Sequence, residues 1–88
     1  MTCTAAKSGT TLDATKTNTC TVKTAGTTTV ISTINLSTAD GDKVTGFAYV
    51  ASGTYDLAVS AQETTNTYAG SASSVAVMAD KTEEVTVS

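Results

Sequence analysis

The sequence predicts an all-β protein, a small antiparallel β-sandwich of seven or eight short strands. Three observations carry this. Apolar residues recur with a period of two, and no window keeps the spacing of an amphipathic helix. Turn-forming residues punctuate the chain about every ten residues, the interval of a sandwich or small barrel. Of 88 residues, 21 are Thr and 9 are Val, both at home in strands.

The elements follow in order. Residues 1–26 form a Thr-rich N-terminal part, either an arm or edge strands, and residues 1–12 have room for one short edge strand. Thr15, Thr17, Thr19 and Thr21 alternate with Lys16, Asn18, Cys20 and Val22, which predicts a strand over 15–22. A strand over 27–37 puts Val30, Ile34 and Leu36 on one face. Asp40-Gly41 supplies a hairpin turn into the strand 44–50, Val44-Thr45-Gly46-Phe47-Ala48-Tyr49-Val50. After a turn at Ala51-Ser52-Gly53, residues 54–60 alternate most cleanly, with Tyr55, Leu57 and Val59 inward and Asp56 and Ser60 outward. Gln62 to Asn66 is a polar turn. Tyr68 opens a weaker strand running through small residues toward Ser73, and Val75-Ala76-Val77-Met78 follows. Beyond a turn at Asp80-Lys81, the last strand sets Val85 and Val87 opposite Glu84 and Thr86. No linker, charge run or internal repeat divides the chain, so residues 1–88 form a single domain.

Composition narrows the function classes. Only 17 residues are Val, Ile, Leu, Met or Phe, a small core for a domain this short. The expected supplements are a disulfide, a partner subunit, or both. The formal charge is −3 with 5 scattered basic residues, which argues against nucleic-acid binding. No apolar run is long enough to insert in a membrane as a helix. The chain has no His, so the commonest general base and zinc ligand are both missing. It opens Met1-Thr2-Cys3-Thr4 without a basic or apolar leader, so the expectation is either a chain made and used without secretion or a mature segment behind an added Met.

Cys3 and Cys20 are the only cysteines. Their spacing matches no metal motif, and two readings stand: a structural disulfide or two buried thiols. A bridge would close a loop worth roughly 3 kcal/mol and would point to an oxidising compartment, or to a particle that matures outside a reducing cytosol. Asp40-Gly41-Asp42 offers carboxylates to calcium, but six or more ligands are needed and turn chemistry explains the triplet better. Glu83 and Glu84 point to opposite faces of a strand and cannot act as a pair; one belongs near a sheet margin, where charge discourages wrong pairing. Tyr55 is expected to anchor the core, its hydroxyl reaching a backbone partner. Phe47 and Tyr49 share a face opposite Val44 and Val50. They form either a contact surface or part of a central strand covered on both sides. Asn35-Leu36-Ser37 fits the glycosylation pattern, in a strand context that makes it coincidental.

Two resemblances enter here. The segment Gly53-Thr54-Tyr55-Asp56-Leu57-Ala58-Val59, taken with Val75-Ala76-Val77 and the turn into Val85-Thr86-Val87, resembles Ig-like sandwich modules of the carboxypeptidase-regulatory-like group. The match covers about the last 40 residues. It implies a non-catalytic module of the kind found in surface proteins, adhesins and virion accessory proteins. The run Thr15, Thr17, Thr19, Thr21 resembles the Thr-x-Thr arrays of insect antifreeze proteins, which implies ice binding if several such rows align.

The expected function is non-enzymatic. No nucleophile–base pair, phosphate loop or metal-ligand cluster can be assembled, so no catalytic residue, metal or cofactor is expected. The leading expectation is a small decoration or cement protein on the exterior of a virus or phage capsid. Its partners would be capsid protein or identical copies, in a homo-oligomer, with Phe47, Tyr49, Thr15, Thr17, Thr19 and Thr21 as subunit contacts. The alternative is an extracellular or cell-surface module of an adhesin, pilus or surface layer, and ice binding is the third reading.

Overall fold

Alternation gives each strand one apolar face, and two such faces bury each other only when sheets stack. A computed structural model, describing residues 1–78 and 80–88, realises this as eight strands in two four-stranded sheets with no helix. The strands are β1 (Thr2–Ala6), β2 (Thr19–Thr24), β3 (Val30–Asn35), β4 (Thr38–Asp40), β5 (Lys43–Phe47), β6 (Gly53–Gln62), β7 (Thr67–Val77) and β8 (Thr82–Thr86). One sheet runs β4-β5-β1-β8 and the other β3-β2-β6-β7. Ala79, between β7 and β8, lies outside the described residues.

Several sequence expectations are corrected. The N-terminal strand is not an edge: β1 lies between β5, antiparallel, and β8, parallel. Its inward residues Cys3 and Ala5 are fully buried, and even its outward Thr4 is covered. The strand expected over 15–22 starts at Thr19, because Asp13 holds the chain before it in a turn. The Asp13 carboxylate accepts from the Thr15 N–H at 2.9 Å and from the Thr15 hydroxyl at 2.6 Å. The strand expected over 44–50 ends at Phe47. The two segments expected around Tyr68 and Val75 are one strand, β7, bent by a bulge where Asp56 faces the register shift. Val30 does not join Ile34 on the buried face. A bulge at Val22/Lys23 leaves Ile31 as an extra residue, and Val30 and Ile31 are 53% and 47% exposed.

Other expectations hold. The hairpin turn at Asp40-Gly41 is present: Asp40 pairs with Lys43, and Gly41-Asp42 is the two-residue β4–β5 loop, with Gly41 at φ 64° in its first position. The Tyr55 hydroxyl donates to Ala51 O at 2.7 Å. Cys3 and Cys20 form a disulfide whose Cα atoms lie 6.5 Å apart. It joins β1 to β2, and so ties the second layer to the first through the centre of the core. Ile34, Leu36, Leu57, Val59, Val85 and Val87 pack around it in one cluster.

Two polar side chains fix the irregular parts. Asn18 is 2% exposed and makes up for the missing start of the predicted strand. Its amide donates to Asp13 O at 2.9 Å and Lys16 O at 3.2 Å, and its carbonyl accepts from the Gln62 N–H at 2.7 Å. Asn18→Ala strands these groups together, so a loss of about 2 kcal/mol is expected in urea unfolding. Asp56 accepts from the N–H groups of Ser74 and Gly26, both at 2.9 Å, pinning the β7 bulge and the β2–β3 turn. Ser74 takes φ 53° there.

The hydrogen bonds from Ser74 and then Gly26 hold the Asp56 carboxyl below its ordinary pKa. Asp13, through Thr15, and Glu63, through Asn66 and Tyr68, are lowered likewise. A carboxyl lowered by folding stabilises above its unfolded pKa, near 3.9 for Asp, and that stability is lost as pH falls through the folded value. Stability is therefore expected to decline below about pH 4, and Asp56→Asn to flatten the decline, measured as urea midpoints against pH. An unchanged slope in Asp56→Asn would contradict the assignment.

Candidate contact surfaces

The outer face of the β4-β5-β1-β8 sheet is built from the residues that alternate away from Val44, Cys3, Ala5 and Val85. Register places Thr38, Thr45, Thr4 and Glu84 in one row across all four strands. The Thr4 and Thr45 hydroxyls lie 3.0 Å apart, and Thr45 Oγ1 donates to Cys3 O at 3.1 Å. Lys43 Nζ and Glu84 Oε2 meet at 2.9 Å, which raises the Lys43 pKa through the Glu84 hydrogen bond and charge. Both groups are well exposed, so the pair adds little stability. The centre of this face is thus occupied with its own hydrogen bonds.

Its end is different. Phe47, opposite Thr2, closes β5, and Tyr49 follows it in the next loop. The rings meet edge to face with centroids 5.0 Å apart. Phe47 is 53% exposed and Tyr49 94%, while Val44 and Val50 are buried. The reading in which this strand is covered on both sides by its own chain is therefore removed. An aromatic pair held in contact yet left in water has its geometry set before any partner arrives.

The other predicted residues divide. Thr19 and Thr21 lie on the outer face of the β3-β2-β6-β7 sheet, in two rows of small side chains. These are Asn35, Thr19, Ser60, Ala69 and, beside them, Thr33, Thr21, Ala58, Ser71. Both rows are uncharged. Thr15 and Thr17 are exposed in the loop before β2 and share no strand face with them. The four-residue Thr row is consequently broken, and with it the array on which the likeness to ice-binding surfaces rested. Thr17 instead borders an open hollow of about 270 Å³ with Lys16, Asn18, Asn35, Leu36 and Ser37.

The structure thus brings Phe47 to Tyr49 and Thr19 to Thr21, but puts the two pairs on opposite outer faces of the sandwich. Sequence reasoning missed Asn18 and Asp56. The signal for Asn18 was its parity: it shares the inward phase of Cys20 and Val22, where a polar side chain must find partners. Among the described residues, no group of three or more His, Cys, Asp or Glu converges. No family model, no curated protein and no solved structure matches this chain.

Proposed function

We propose that this chain is a non-enzymatic structural subunit of a multi-subunit assembly, a decoration or cement protein on the exterior of a virus or phage capsid. The observation that carries this reading is the exposed Phe47–Tyr49 pair, two aromatic rings in contact with each other and open to water. Aromatic side chains in fixed geometry are the residues that dominate protein–protein contacts once water is excluded. The Thr19/Thr21 face lies on the other side of the sandwich, so one molecule offers two separate surfaces. A subunit that reinforces a shell by bridging neighbours needs that arrangement.

The test is co-sedimentation of the purified protein with particles from the same source. Wild-type chain is expected to pellet with the particles. The variant carrying Phe47→Ser and Tyr49→Ser is expected to bind at least about thirtyfold more weakly, the size of a single hot-spot loss. Equal binding by both proteins would contradict the assigned contact. A specific observation keeps the second reading, an extracellular module of an adhesin, pilus or surface layer. The buried inter-sheet disulfide suits an oxidising exterior.

A further inference from the structure

Sheet edges carry unpaired backbone donors and acceptors, and stable proteins blunt them with charge, brevity, bends or cover. Three of the four edges here are blunted. β4 has only three residues and ends in Asp40. β8 carries Glu83 and Glu84. β7 is bent by its bulge, and at Ala69 its outer side is taken by Ser88, through Ser88 N–H to Ala69 O at 3.0 Å and the reciprocal bond at 3.3 Å.

β3 is neither charged, short nor covered, and its one bulge, at Ile31, leaves Ser32 to Asn35 in regular register. Its six residues, Val30-Ile31-Ser32-Thr33-Ile34-Asn35, pair with β2 on one side, and among the described residues no strand pairs on the other. It lies within residues 24–39, a stretch of the chain without a charged residue, and the chain contains no Pro. Val30 and Ile31 stand out from it about half exposed. An uncharged edge with exposed aliphatics is where another strand adds most readily.

We propose that β3 is the surface through which two copies of this chain associate, pairing antiparallel about a two-fold axis and fusing their β3-β2-β6-β7 sheets. Charge identifies the occupant. Two copies, each at −3, repel over most of their surfaces, but segment 24–39 brings no like charges together. A two-fold antiparallel pairing is also self-complementary, because each strand presents the same donors and acceptors to the other. Opposite residues must share a face, so the axis passes at a residue; placed at Thr33, in the regular stretch beyond the bulge, it sets the two exposed Thr33 side chains against each other. The fused sheet would carry the Thr19/Thr21 rows of both copies as one surface and leave both Phe47–Tyr49 pairs free on the far sheets.

This deepens the assembly reading and rests on it only for the expectation of protein partners. Sedimentation velocity of the full chain over a concentration series tests it. Wild type is expected to rise from 8.8 kDa toward twice that mass. Thr33→Lys, at an exposed position, is expected to weaken the dimer at least about tenfold by placing like charges at the axis. Ile31→Lys, exposed on the same edge, should act likewise and reports if the first variant fails to fold. The variant carrying Phe47→Ser and Tyr49→Ser should dimerise as wild type does. A monomer at every concentration overturns the proposal, and so does a dimer indifferent to both lysines. Dimerisation by a chain that does not bind particles would sink the capsid reading alone.

Discussion

Removing the Cys3–Cys20 bridge, by reduction or by Cys3→Ala with Cys20→Ala, is expected to lower the unfolding free energy by about 3 kcal/mol. The bridge closes 17 residues of separation, and both cysteines are fully buried. Its position adds to the effect of loop length. Cys3 is in β1, flanked by β5 and β8; Cys20 is in β2, flanked by β3 and β6. The bond therefore links a central strand of each sheet, where separation of the layers would begin. A domain of this length holds on the order of 5–10 kcal/mol in total, so the loss takes a large share of it. Urea unfolding with and without a thiol reductant measures this, and coincident curves from oxidised and fully reduced protein would contradict it.

An effect of similar size is expected from adding one methyl group at either of two glycines. A Cβ on Gly46 of β5 would collide with the backbone carbonyl of Asn35 at the end of β3. On Gly70 of β7 it would collide with the carbonyl of Thr86 in β8. Each contact joins one sheet to the other, at opposite margins of the sandwich, and backbone on both sides leaves no side chain to move aside. Gly46→Ala and Gly70→Ala are each expected to cost about 3 kcal/mol, the upper end for overpacking. Gly41→Ala is the contrast, since its Cβ would meet open space and only the left-handed φ of 64° is penalised, at about 1 kcal/mol. Thermal melts of the three variants should rank them in that order. A Gly46→Ala protein as stable as Gly41→Ala would mean the sheets can part at that margin without cost.

The layers and most strands were legible because period-two alternation is a local signal, and Leu57, Val59, Val85 and Val87 obey it. What escaped was set by partners distant in the chain. That β1 is central depends on β5 and β8 flanking it, which nothing in residues 1–12 encodes. Gly46 reads as an ordinary strand glycine until Asn35 is placed against it. The Thr15 to Thr21 run misled for a related reason: Thr favours strands but also loops, and the Asp13 carboxylate draws Thr15 into a turn. Of the site, Phe47 and Tyr49 were legible as neighbours, although Tyr49 lies beyond the end of β5 and not on the strand face that their spacing predicts. The bulge that exposes Val30 and Ile31 was not, because a bulge exists only relative to its partner strand.

The capsid assignment is tested most directly by quantitative mass spectrometry of particles purified from the source of this chain. The chain is expected in intact particles at a fixed ratio to the main shell protein, and is expected to be lost from them when the Phe47→Ser, Tyr49→Ser variant replaces it. Particles that contain none of it, with the chain recovered from the cell surface or medium instead, would contradict the capsid role and leave the surface module in its place.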